Sequence, residues 1–452
     1  MVTQLTVVFF VSLLAVLWMR GYKSFPVLAR KFLCLAPFLA LVSLLNHNVD
    51  SDRWGTATRI LPIYFALLLL FLSLLLWRAR GAALRFGAAE LFLGLYILVC
   101  AAQIPGSANP VWALSAWSWS APGYLLFLMA GRATSKEEFA QDKLPAWTLL
   151  GFIGISLALV VVGLLTGRAD ILFHTRNFGS IYASTAMLMF LMLFIGMGWV
   201  TVSSSKRWSF VVLFVSFVCM LMSLSRTAIA VLAAYVAVIF TGSRTQMKQA
   251  ALALTLVCVT LGVGLYFVGE RIDLDVELFQ SWSERWGGGD YASAYGAARD
   301  LRESKFSSFR AEVFRDAPWH GQGFGTFRHF SEYTDAHDLL VTEAFENSLL
   351  AAVLLVLAYS LPNVIRGLLV AELRPVAVSI VGFIILGQVT GAMLSYRAEG
   401  HYYTAYPGWT LFYLIGYVCG QLRLRSQPAG AIAARQKPPL GSVMHAPQPL
   451  PE

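Results

Sequence analysis

Charge is scarce in this chain. Asp, Glu, Lys and Arg make up 13% of its 452 residues, against 58% hydrophobic ones, and the mean hydropathy is +0.65. Soluble domains carry about a quarter charged residues, so an ordinary cytosolic or secreted globule is excluded. Cysteine is also sparse. Cys34, Cys100, Cys219, Cys258 and Cys419 all fall within or at the edges of long apolar runs, so no disulfide framework is indicated for any polar loop. Ionisable residues inside the runs are few, with Glu90 and Arg226 near run ends, and no internal repeat is visible. A proton or ion relay built on repeated halves would need more of both. The amino-terminal run lacks an A-x-A cleavage site before the next polar stretch and is expected to be retained.

What is present is hydrophobic helix. Spans are expected near 5–18, 32–45, 60–77, 86–104, 112–130, 146–166, 180–202, 209–224, 226–241, 249–268, 347–370, 375–396 and 406–422. The first is short, giving an all-α integral membrane protein of about 12 (12–13) transmembrane helices. The runs are continuous rather than alternating, which excludes a barrel. A net charge of +9 invites a nucleic-acid reading, but its distribution rejects one. Lys and Arg gather in alternate loops, such as Arg20, Lys23, Arg30 and Lys31, then Arg78, Arg80 and Arg85. This is the bias that places basic loops inside. The loop at 167–179 and the segment at 269–346 therefore face outward.

That outward segment differs from everything around it. Residues 269–348 hold fifteen of the chain's 25 acidic residues. The chain thus divides into a helix bundle (1–268), a large outward loop of short helices (269–346), further spans (347–422) and a basic, Pro- and Ala-rich tail (423–452) expected to be disordered and inside. Within the loop, Ile272 to Trp286 is expected to form an interfacial amphipathic helix and Ala292 to Arg315 a second helix. Pro318 to Gly325 (PWHGQGFG) reads as a turn-rich loop, and a last helix from Thr334 or Asp335 should run directly into the span at 347–370.

His337 is the leading candidate for chemistry. Thr334 or Asp335 is a natural N-cap and Asp338 a capping acid, which sets His337 in the first helical turn. The macrodipole disfavours imidazolium there, leaving a neutral ring able to accept a proton from a hydroxyl. Outward histidines are not distinctive in themselves, since His174, His320, His329 and His401 share that side. Arg226, in Ser225-Arg226-Thr227-Ala228, either snorkels or presents a guanidinium to a phosphate at headgroup depth. Arg168 and Arg176, with Arg310 and Arg315, could complete a cationic cluster. Two weaker motifs are set aside. Asp273-Leu274-Asp275 has the form of a D-x-D metal site but abuts a span end, so no metal is expected. Gly321-Gln322-Gly323-Phe324-Gly325 follows no strand, so its glycines are expected to make a tight turn rather than a phosphate cradle.

In order and spacing, residues 220–360 resemble the O-antigen ligase and O-antigen polymerase superfamily of bacterial membrane glycosyltransferases. The typical pattern is an arginine, a hydrophobic helix, a proline and a G-x-G-x-G-x-F loop. A His-Asn pair and a Glu-x-Gly-Leu step into a span follow. This chain has Arg310, Phe314, Pro318, Gly321, Gly323, Gly325 and Phe327, then His337-Asp338-Leu339 and Glu346-Asn347-Ser348-Leu349. Asp338 stands where Asn is usual, and Ser348 where Gly is.

The resemblance implies transfer of a glycan from an undecaprenyl-diphosphate-linked donor to a sugar hydroxyl of lipid A-core, at the outward face of a bacterial inner membrane. His337 would be the base, Arg226 and Arg310 diphosphate contacts, and Arg168 or Arg176 secondary ones. Asp338, Arg315 and Glu346 would support them. In-line attack inverts the anomeric centre and requires neither metal nor cofactor. The implied partners are that donor, the lipid A-core acceptor and membrane lipids, with no nucleic acid. Two alternatives stay open: an O-antigen polymerase, given R-x10-G spacings at Arg168–Gly179 and Arg310–Gly321, and a non-catalytic polysaccharide exporter or flippase.

Overall fold

The computed structural model describes residues 25–34, 87–141, 320–324, 339–390 and 405–426, with Leu252, Thr255, Leu256 and Val259. Among the described residues every regular element is a helix and there is no strand. In chain order they are α1 (25–34), α2 (Ala88–Ala102), α3 (Pro110–Ala133), α4 (Lys136–Gln141), α5 (Leu339–Asn347), α6 (Leu349–Ala358), α7 (Leu361–Leu369), α8 (Arg374–Thr390) and α9 (Ala405–Arg425).

Two stretches, Ala88–Gly106 and Leu349–Leu369, are long and apolar enough to cross a membrane. Their surfaces agree with an apolar solvent. Leu91, Leu95 and Leu98 form an exposed stripe on α2, and Leu350, Val353 and Leu357 form one on α6. In water such stripes would be a liability. In lipid they are the expected outer face.

The centre of the described bundle is the pair α3 and α9, which run parallel. Trp409 Nε1 donates to Ser120 O (2.9 Å), near the start of α9 and midway along α3, and Gln421 Nε2 donates to Thr134 O (3.1 Å) near the end of both. Glycine makes the approach possible: a Cβ on Gly131 or Gly416 would overlap the carbonyl oxygens of Tyr413 and Leu128, and one on Gly420 would lie 2.6 Å from Arg132 O. Gly416 and Gly420 are spaced as in the small-residue helix contacts of membranes, where close backbones replace the missing hydrophobic drive. Aromatic rings fill the rest. Phe127 packs on Trp409 (centroids 5.4 Å) and Phe32 packs on both of them.

α2 lies antiparallel to α3, as Trp117 Nε1→Ile97 O (3.1 Å) and the Arg132–Glu90 ion pair require. Pro105 stops α2, and the chain tightens into a 3₁₀ turn, Ile104–Gly106, closed by Ser107 Oγ donating to Ile104 O (2.7 Å). The two ends of the bundle therefore differ. Arg132, Lys136, Arg366, Arg374, Arg423 and Arg425 sit at helix ends on one side. The other side carries the Ile104–Gly106 turn, Gly321–Phe324 and the joint between α5 and α6.

Several sequence expectations need correction. Residues 25–34 are helix, and Arg30 is buried (5% exposed) in it, whereas a basic loop was expected there. Phe25, Leu28, Phe32 and Leu33 around it are buried too, so this segment joins the core. The stretch at 347–370 is not one rod. It breaks at Ser348 (φ 99°) and again at Ser360 (φ 51°), just before Pro362. Helix α5 accordingly does not run straight into the span. Elsewhere agreement is close: 86–104, 112–130 and 406–422 fall on α2, α3 and α9, and the described part of 375–396 falls on α8. The remaining expected spans, the helices at 272–286 and 292–315, and the tail lie outside the described residues, apart from 32–34 in α1, four helical positions in 249–268 and residues 423–426 at the end of α9.

Candidate functional site: the junction around helix 339–347

α5 ends at Asn347 with carbonyls that no helical amide can reach. The glycine loop supplies the donors: Gln322 N donates to Phe345 O (2.8 Å) and Gly323 N to Glu346 O (3.0 Å). The loop is thus a cap delivered from elsewhere in the chain. The Gln322 and Gly323 amides are thus spent on helix carbonyls, and the backbone turns sharply at Gly321 and Gly323.

Glycine is required at both turn positions. Gly321 has φ +63°, and a Cβ on it would meet Glu346 O at 2.6 Å. Gly323 has φ +105°, and a Cβ on it would meet Gly106 O at 2.6 Å. L side chains rarely adopt such φ values, and here the space is filled as well. Phe324, 1% exposed, anchors the loop in the core. Three distant pieces of chain, the end of α2, the glycine loop and the α5–α6 joint, are thereby locked together.

The joint is strained. Ser348 lies at φ 99°, ψ 156°, a region essentially reserved for glycine. Its Oγ accepts from Ala351 N (3.3 Å), capping α6 and offsetting part of the cost.

The α5 interior is unexpectedly polar. Thr342, Glu343, Glu346 and Asn347 are all buried. Asn347 Nδ2 donates to Glu343 Oε2 (2.8 Å), and the Tyr96 side chain of α2 lies close to the same carboxyl. Burial pushes that carboxyl up from the ordinary 4.5 to about 7, against the opposing pull of Asn347 and Tyr96. A group so placed exchanges its proton near neutrality.

Of the residues expected at the site, Glu346 is described, and it is buried with its carbonyl receiving the Gly323 amide. His337, Asp338, Arg226, Arg310, Arg315, Arg168 and Arg176 lie outside the described residues. His320 begins the glycine loop, exposed, with Nδ1 3.1 Å from Gly321 O. Glu343 and Asn347 were missed by sequence reasoning, although their i, i+4 spacing on a mainly apolar helix was a usable signal. No protein-family model, curated protein or solved structure matches this chain.

Proposed function

We propose that the chain is a multi-pass membrane glycosyltransferase of the O-antigen ligase type. About 12 spans carry a large outward loop, and a lipid-diphosphate-linked glycan is transferred to a sugar of lipid A-core. His337 takes the acceptor hydroxyl's proton, and Arg226 and Arg310, helped by Arg168 or Arg176, hold the diphosphate as negative charge develops on it. The basic end, with Arg132, Lys136, Arg374 and Arg425, faces the cytoplasm, and the glycine-loop end faces the periplasm. The observation that carries this reading is the docking of Gly321–Phe324 onto Glu346–Ser348. The two motif pieces that flank His337 in sequence meet in space and bracket residues 325–338 between fixed ends. The test is His337→Ala in purified protein given a polyprenyl-diphosphate-linked oligosaccharide and lipid A-core. Transfer is expected to vanish while donor binding stays. Wild-type product forming as a ladder on the carrier lipid, with no core acceptor needed, would make it a polymerase.

One observation favours a second reading. The span Leu349–Leu369 is interrupted at Ser360, whose Oγ accepts from Asn363 Nδ2 (2.8 Å), and broken helices recur in transporters. A flippase or exporter would keep moving lipid-linked glycan after His337→Ala.

A further inference from the structure

Three helix ends converge at one corner of the basic end. The last turn of α7 sits between the first turn of α8 and the later part of α9. A Cβ on Gly367 would lie 3.0 Å from Val418 Cγ1, 3.2 Å from Ala377 Cβ and 3.9 Å from Leu373 Cβ. Arg374 Nε donates to Leu368 O (2.9 Å), and the Arg425–Glu372 ion pair ties the end of α9 to the α7–α8 turn. Arg366, Arg374 and Arg423 are therefore carried on one corner, each within about one and a half helical turns of those contacts.

This corner is short of acid. Across 361–390 and 405–426 the one acidic residue is Glu372, and it already holds Lys136 (2.9 Å) and Arg425. Among the described residues, Arg366, Arg374 and Arg423 have no carboxylate partner. The other stretches expected inside, 20–31, 78–85, 203–208 and 242–248, contain Lys or Arg but neither Asp nor Glu. The remaining inner acids are Glu137, Glu138 and Asp142, beyond Lys136 along α4, and Glu452 at the far end of the tail. The counter-charge for these guanidiniums must come largely from outside the protein. Beside the charge lies bare apolar surface: Ile365 and Leu369, 56% and 79% exposed, stand one turn apart on α7 and flank Arg366. Guanidinium next to aliphatic surface matches both parts of a phospholipid, a phosphate for the fork and an acyl chain for the side chains. We propose that the α7–α8–α9 corner binds an anionic phospholipid of the inner leaflet, its phosphate held by Arg366, Arg374 and Arg423 and an acyl chain laid over Ile365 and Leu369. The site is independent of the transfer reaction and of His337.

The test titrates the full-length protein, in neutral detergent at about 0.1 M salt, with fluorescent phosphatidylglycerol. Expected is saturable binding that unlabelled phosphatidylglycerol displaces and phosphatidylcholine does not. The double variant Arg366→Gln/Arg423→Gln should weaken binding about thirtyfold, since each basic residue near an anionic lipid contributes roughly a factor of five. Those two side chains bond nothing among the described residues, so thermal unfolding should be unchanged. Lys206→Gln/Arg207→Gln removes the same charge from another loop expected inside, and should leave the affinity within about twofold. An equal loss in both double variants means diffuse attraction and overturns the site. Phosphatidylcholine binding as tightly as phosphatidylglycerol overturns it in favour of a plain apolar groove. Displacement by inorganic phosphate as potent as by lipid means a free-anion site, and stronger displacement by polyglutamate means a surface for an acidic protein; either result overturns the lipid assignment.

Discussion

Glu90 and Glu343 are both helical carboxylic acids with almost no exposure, 3% and 1%, and they meet opposite surroundings. Glu90, at the basic end, receives the Arg132 guanidinium and the Gly87 amide (2.8 Å). It closes the first turn of α2 and ties that turn to the last turn of α3. Glu343, at the other end, has an amide and a phenol for company and, among the described residues, no charge beside it. The first arrangement is what a membrane bundle needs in order to keep a carboxylate inside. The second does nothing for a bundle that leucine would not do better. The contrast teaches that the two ends keep a buried acid in different ways: one beside a cation, the other beside neutral groups.

The sharpest way to break this comparison is to unpair the structural end. Arg132→Ala leaves Glu90 buried without its cation and should cost about 3–5 kcal/mol of unfolding free energy. Glu343→Gln keeps the shape of a side chain whose hydrogen-bond partner among the described residues is the neutral Asn347, and should cost less than about 1 kcal/mol. Denaturant or thermal unfolding of the two variants in detergent decides it. If Arg132→Ala proves no worse than Glu343→Gln, the two carboxyls are equivalent and the distinction between the ends disappears.

The same contrast explains what could be read from sequence. Apolar runs announced α2, α3, α8 and α9, because continuous hydrophobicity over a span's length has few alternatives. Glu90 was noticed because a lone acid stands out in such a run. The breaks at Ser348 and Ser360 were not legible. Serine has no special claim to positive φ, and the conformation is imposed by contacts from elsewhere: Gly321 against the 346–348 backbone, and Cys419 Sγ 3.6 Å from Ser360 Oγ. The parallel pairing of α3 and α9 is also non-local, though Gly416-x-x-x-Gly420 was a clue to one side of it. For the candidate site, the sequence placed the glycine loop and Glu346 only in order along the chain; their contact in space comes from the structure. What it could not supply was Tyr96, which reaches Glu343 from a helix about 250 residues away in sequence.

A smaller effect, of opposite sign, should come from the glycine-loop end. Ser348 holds a backbone conformation that costs a non-glycine residue about 1–3 kcal/mol, and its cap on Ala351 returns only a few tenths relative to glycine. Ser348→Gly should therefore stabilise the protein by about 1 kcal/mol. The measurement is unfolding beside transfer activity. A gain in stability with unchanged transfer means the strain belongs to the fold. A gain accompanied by slower transfer means that the rigid joint serves the placement of α5. A loss of stability would mean that the Ser348 hydroxyl matters more than its backbone.

The smallest effect is expected back at the basic end, on its surface. Glu372 bridges Lys136 (2.9 Å) and Arg425, linking the start of α4, the α7–α8 turn and the end of α9. The hydrogen bond from Lys136 leads the influences that hold its carboxyl below the ordinary 4.5. A lowered carboxyl stabilises above its unfolded pKa and loses that contribution as the pH falls through the folded value, so this bridge works at neutral pH and fails in acid. All the same, Glu372 and its partners are about half exposed, and solvent and salt take most of the Coulomb energy. Glu372→Gln should cost less than about 1 kcal/mol at low salt and nothing measurable at about 1 M salt. The buried Glu90–Arg132 pair, shielded from ions, should keep its effect in both conditions. Equal salt sensitivity for the two would mean that burial is not what separates a holding ion pair from a decorative one, and the ranking of charges across this bundle would have to be rebuilt on distance alone.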